Sequence, residues 1–154
     1  MAGYTTVLAA IKTELEGVSG VVNVYDYPRW KDDITAWESL ISSGSTLHFW
    51  EITRDSAPSE AQSGGQIFVN HTWSLWGWYH VVDADESYKT FQGIVDDVTD
   101  AFNDTASINI ATNTVIVQPC FLLSFDQARR PDGDGGILFH RARIQLVTEE
   151  DKTC

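Results

Sequence analysis

From residue 66 to residue 82 the chain alternates in the manner of an extended strand. Ile67, Val69, His71, Trp73, Leu75, Tyr79 and Val81 share one face, which is expected to be core. The other face begins polar with Asn70, Thr72 and Ser74 and then turns to Trp76, Trp78 and His80, so only its second half asks for cover. Gly77 inside this pattern predicts a bend or bulge. After Val82 the period lengthens from two to about 3.6: Tyr88, Phe91, Val95, Val98 and Phe102 follow at three- and four-residue steps, the stripe of an amphipathic helix. Asp83 or Asp85 is placed to cap it, and Asp83 with Glu86 has the spacing of a capping box.

The same reading covers the rest of the chain. Residues 5–16 predict a first helix with Val7, Leu8, Ile11 and Leu15 on one face, ended by Gly17. Residues 18–27 alternate as a strand that Pro28 stops, and 29–43 read as a short helix or ordered loop laid over the sheet. A strand over 46–55 is joined to the aromatic one by the polar Gly/Ser/Pro-rich stretch 56–65, read as a mobile loop, making a long hairpin. Sixteen extended residues would reach on the order of 50 Å, so one end of that hairpin is expected to project. A short strand over 107–111 and a turn over 112–114 lead to an apolar strand over 115–125, expected to be buried on much of both faces, with Pro119 at a bulge or edge. Residues 127–136 form a polar connection, 137–147 the last strand, and a polar tail begins at about 148. The last strand carries Arg141 and Arg143 on one face and Leu138, His140, Ala142, Ile144 and Leu146 on the other. This order predicts a single α+β domain over 1–154: a mostly antiparallel sheet with two main helices packed on one face and a long projecting hairpin.

Composition narrows the function. A chain of 154 residues, 43% of them hydrophobic, supports one proper core without disulfides. Cys120 and Cys154 belong to no metal or redox spacing, which fits a reducing compartment. No stretch has the make-up of a standard secretion signal or a membrane span, so no membrane partner is expected. The formal net charge of −12 disfavours binding of nucleic acid phosphates. Residues 83–104 carry seven acidic side chains against Lys89 alone. Asp96, Asp97, Asp100 and Asp104 sit toward the end of the predicted helix, where they oppose its dipole, so local stability does not account for them.

Candidate chemistry is sparse. No two of His48, His71, His80 and His140 have ligand-pair spacing, and structural or surface roles are expected; no metal or cofactor is. Asp132 and Asp134 resemble part of a calcium loop that lacks its later Glu, and a hairpin turn is the better reading. No nucleophile elbow, phosphate loop or zinc signature is present, and Cys120 lies between Pro119 and Phe121 rather than beside basic groups, so no enzyme is expected. The six tryptophans exceed what one sheet face can bury. Trp30, Trp76 and Trp78 are therefore candidates for a subunit or partner interface, together with Arg129, Arg130, Arg141 and Arg143 as partners for carboxylates.

The chain resembles the tail terminator, or tail-completion, proteins of long-tailed bacteriophages. The resemblance rests on the opening helix running through Gly17-Val18 into a first strand, the long hairpin ending at Val82, the helix over 87–102 and the final hairpin. It implies a small structural virion protein, assembled in the host cytoplasm, that forms a hexameric ring on the finished tail tube. Such a ring ends tube polymerisation and docks the head-side connector or stopper protein at the neck. Its partners would be its own copies, the tail tube protein and that connector, with DNA passing through unbound. Asp96, Asp97, Asp100 and Asp104 would then face the channel. A sister neck or head-completion protein of similar fold is one alternative. A monomeric ligand-binding module, with Trp73, Trp76, Trp78, Tyr79 and His80 around an apolar pocket, is another.

Overall fold

The computed structural model describes residues 3–28, 42–43, 46–104, 109–111, 113–130 and 136–153. The predicted segment 29–43, apart from Ser42 and Ser43, and the turn with Asp132 and Asp134 lie outside the described residues. Helix α1, Tyr4–Glu16, buries Val7, Leu8, Ile11 and Leu15 and ends where the Gly17 amide bonds back to the carbonyls of Thr13 and Glu14. Helix α2, Ser87–Asp104, buries Phe91, Val95, Val98 and Phe102 at the predicted steps. Tyr88, the first residue of that stripe, is exposed and packs edge-on against Phe125 and His140.

Strands follow in the order β1 Val24–Tyr25, β2 Ser42–Ser43, β3 Thr46–Ser56, β4 Ser59–Ala61, β5 Ile67–His80, β6 Asn109–Ala111, β7 Thr114–Ile116, β8 Phe121–Arg130 and β9 Ile137–Asp151. They build a curled, mostly antiparallel sheet with β1-β3-β5-β9-β7-β6 as its main path. The exception is the parallel pair of β1 and β3. The fold is α+β. Both helices contribute to one core with Trp50 and Ile52 of β3, Trp73 and Leu75 of β5, and Ala142, Ile144 and Leu146 of β9, so they cover the same sheet face.

Several expectations change. The strand over 18–27 shrinks to two residues, because Gly20 at φ 86 and Asn23 at φ 51 turn the backbone, and Val18, Val21 and Val24 reach the core one by one. The stretch 56–65 is no simple loop. Ser59, Glu60 and Ala61 pair with Val69, Phe68 and Ile67, and only 62–66 make the turn. β9 accompanies β5 from Phe139 to Asp151, so what protrudes is the tip, where every residue of β4 is exposed. The capping box does not form. Asp83–Asp85 is a separate 3-10 turn, Glu86 adopts φ 51, and the Val82 amide bonds to the Ser87 hydroxyl at 2.9 Å.

The apolar run 115–125 divides into β7 and β8 around Pro119, which falls between the two strands. The presumed polar tail is largely strand: residues 149–151 belong to β9, and Glu150 is buried. Gly77 neither bends nor bulges β5, whose register with β3 and β9 runs through it unbroken. Its lack of a side chain serves packing. A Cβ there would stand 2.7 Å from the Trp50 ring and 2.9 Å from the Phe91 ring. Gly77→Ala should therefore destabilise by about 1–3 kcal/mol, the usual cost of overpacking. Urea denaturation reads this directly, and a variant as stable as the parent would mean the two rings have room to move.

Candidate subunit interface

Opposite the helices, the second sheet face carries a ladder of tryptophans and arginines. Cross-strand register sets it, since Trp78 stands beside Arg141 and Phe49, and Trp76 beside Arg143 and Glu51. Arg130, at the end of β8, forms a two-pronged pair with Glu51 at 2.9 Å and places its guanidinium 4.8 Å from the Trp78 ring centre. Arg141 lies 5.6 Å from Trp78 and 5.7 Å from Trp76 and is held by both oxygens of Asp126. Arg143 lies 5.0 Å from Trp76, pairs with Asp55 at 3.1 Å and donates to the Ser74 hydroxyl. A guanidinium stacked on an indole and forked onto a carboxylate is fixed in both orientation and charge. Three cations and three carboxylates alternate, so the ladder is neutral within the chain.

This corrects part of the sequence reading. Trp78 is only 6% exposed: it stacks flat on Phe49 and meets Phe139 edge-on in a second, smaller core. Two sheet faces, not one, take up the described tryptophans, Trp50 and Trp73 on one and Trp76 and Trp78 on the other. Arg130, Arg141 and Arg143 already have intrachain carboxylates, and Arg129 turns to the other side, donating to the Gly136 carbonyl of its own hairpin. Trp76 is partly buried, with its indole N–H on the Thr53 hydroxyl. Trp30 lies outside the described residues. The five side chains suggested for an aromatic pocket do not converge, since Trp73 and Tyr79 face the helices while Trp76, Trp78 and His80 face away.

The surface that sequence reading missed is β8. Phe121, Leu122 and Leu123 are all exposed, with Val117 just before them. Phe121 pairs with Gln145 and Leu122 with Ile144, and a register shift before Ser124 leaves Leu123 in the irregularity, so apolar groups emerge on both sides of the strand. A run apolar at consecutive positions normally means a strand covered on both faces. Here the strand is bonded to β9 on one side, and among the described residues its other edge has no partner. On the far side of the sheet, β1 covers only Trp50 and Glu51 of β3 and β2 only Thr46 and Leu47. From Ile52 through β4 that edge too has no strand partner among the described residues.

Asp96, Asp97, Asp100 and Asp104 are exposed on α2, and none forms an ion pair among the described residues. Asp97, Asp100 and Asp104 join Glu14 and Gly17 around an open groove of about 480 Å³ between the two helices. The carbonyl end of α1 faces the same groove, which compounds its negative potential.

Three of the four histidines are buried and hydrogen-bonded. His48 Nε2 accepts the Trp50 indole N–H at 2.8 Å, and burial lowers its pKa to about 4. His71 pairs with Glu150 at 3.0 Å. His140 bonds through Nε2 to the Ser87 hydroxyl, and burial lowers its pKa as well. The Ser87 oxygen accepts the Val82 amide, so this Ser–His contact pins the start of α2 to β9. Cys120 is buried, its thiol pushed up to about 12, while Asn103 clamps its backbone through both amide atoms. Among the described residues no three His, Cys, Asp or Glu side chains are grouped to hold a metal ion, and no helix is long and apolar enough to cross a membrane. The chain matches no protein-family model and no curated protein.

Proposed function

We propose that this protein is a structural ring subunit of the tail terminator type, capping a bacteriophage tail tube and docking the head-side connector. The observation that supports this reading is the pair of unlike sheet edges that have no strand partner among the described residues: apolar β8 on one side, and the polar margin from Ile52 through β4 on the other. A head-to-tail ring requires two different surfaces per copy, one meeting the other on the neighbour. An open strand edge flanked by apolar side chains is the kind of surface that another chain completes. The proposed occupant of the β8 edge is a second copy of the chain, and the Trp–Arg ladder is the stiff wall that holds this edge in place. The carboxylates of Asp96, Asp97, Asp100 and Asp104 would line the DNA path, where like charge keeps the duplex from sticking. An image of the ring with these four on its outer wall would remove that part of the proposal.

The test is a double variant, Phe121→Ser with Leu123→Ser. Both side chains are exposed, so the fold should lose no more than about 1 kcal/mol. Ring formation, followed by light scattering and negative-stain imaging with tail tubes present, should be lost. Rings of normal size from a folded double variant would overturn the assignment of β8 as the subunit contact.

A further inference from the structure

At the other end of the helix-bearing face is a small open cavity of about 280 Å³, lined by Gly20 and Val22, by Thr46 and His48 of β3, by Tyr79 of β5, and by Thr90 and Ile94 of α2. Three features make it more than a surface dimple. Gly20, at φ 86, would bring a Cβ to 3.0 Å from the Ile94 side chain, so any other residue would be strained in its backbone and would press on this wall. Tyr79 and Phe91 hold the His48 ring in place, with ring centres 4.9 Å and 5.9 Å away. The protonation of His48 is also fixed by its neighbour. An indole nitrogen can only donate, so the Trp50 N–H at 2.8 Å forces Nε2 to accept and puts the ring proton on Nδ1. Among the described residues that Nδ1–H has no hydrogen-bond partner, and it is not one of the fully buried unbonded atoms, so it keeps some access to solvent although His48 as a whole is only 3% exposed.

We propose that this cavity binds a small neutral molecule that offers a carbonyl-type acceptor to His48 Nδ1–H. The site would supply an obligatory donor, hydroxyls from Thr46 and Thr90, and apolar walls from Val22 and Ile94. Among the described residues no cationic side chain lines it, and the chain carries net −12, so a carboxylate ligand would find no counter-charge there. The volume limits the ligand to a fragment-sized molecule, and such a molecule binds weakly, in the millimolar range. None of its lining residues belongs to either of the sheet edges proposed for the ring contact.

Titration of the full-length, ¹⁵N-labelled chain with 2-pyrrolidone, a neutral cyclic amide, tests the proposal, with acetate and cyclopentane as comparison probes. Saturable shifts of the His48 Nδ1–H and of the Thr46 and Thr90 amides are expected with 2-pyrrolidone, and at least tenfold weaker effects with the other two. Ile94→Trp, which fills the cavity, should weaken the response at least tenfold while the Nδ1–H signal persists. Thr90→Phe, on the exposed rim, takes its place if that variant does not fold. Absence of saturation, equal response to cyclopentane, stronger binding of acetate, or binding undiminished in the filled variant would each overturn the site.

Discussion

Replacing Glu150 with Ala should destabilise the folded chain by about 2–3 kcal/mol, the cost typical of leaving a buried hydrogen-bonding group without its partner. Glu150 and His71 are both almost wholly inaccessible, and their contact joins β9 to β5 at the end of the sheet remote from His48. Beside it, Trp73 donates its indole N–H to Thr148 at 3.0 Å, and Tyr4 at the start of α1 stacks on the Trp73 ring. Truncating Glu150 would leave a buried imidazole with neither ring nitrogen bonded, because among the described residues Nδ1 already lacks a partner. The Lys152 amine, 3.7 Å from the Glu150 carboxylate, lies too near the surface to replace it. The joint replacement His71→Leu with Glu150→Leu removes both polar groups and should recover most of the loss. His71→Leu, Glu150→Leu, the joint variant and the parent form a double-mutant cycle, read by chemical denaturation. A loss below about 1 kcal/mol for Glu150→Ala would show that water reaches the pair.

Glu150 also shows where sequence reading stops. A glutamate in Thr148-Glu149-Glu150-Asp151-Lys152 reads as solvated tail, and nothing local says that a histidine 79 positions earlier lies diagonally across a strand from it. The stripes of α1 and α2 and the buried face of β5 were legible because each is a periodic pattern answered by a single core. The second core of Phe49, Trp78 and Phe139 was only half legible: the alternation of β5 asks for cover at Trp76 and Trp78, but Phe49 and Phe139 come from two other strands, and which strands those are depends on strand order. Gly77 was visible as an anomaly, but its cause lies in two rings from β3 and α2. β8 misled for the opposite reason: a run of apolar residues encodes burial without saying by what, and within the described residues of this chain Phe121, Leu122 and Leu123 do not receive it. Of the candidate interface residues, Trp76 with Trp78 and Arg141 with Arg143 were each correctly placed on one face of their own strand. Their engagement by Glu51, Asp55 and Asp126 depended on strand order, which periodicity does not supply.

Stability should also fall steeply on mild acidification, chiefly through His48. In the unfolded chain this imidazole takes up a proton as the pH falls through about 6.5. In the folded chain burial holds its pKa down to about 4. Between these values the unfolded state binds the extra proton and the folded state does not, so this contribution is complete above pH 6.5 and is lost as the pH drops toward 4. The gap corresponds to about 3 kcal/mol. Among the described residues the groups around the ring are Trp50, Tyr79 and Phe91, with the Asn23 amide bonded to the His48 carbonyl, and none of them is a carboxylate that would offset the penalty of charging it. His140, lowered by its own burial, acts in the same direction. His48→Gln keeps an oxygen for the Trp50 N–H and has no proton to gain, so its stability should change less between pH 7 and pH 4.5 than that of the parent. Carboxylates common to both proteins cancel in that comparison. Equal pH dependence in the two would place the acid sensitivity elsewhere and show that His48 charges as readily folded as unfolded.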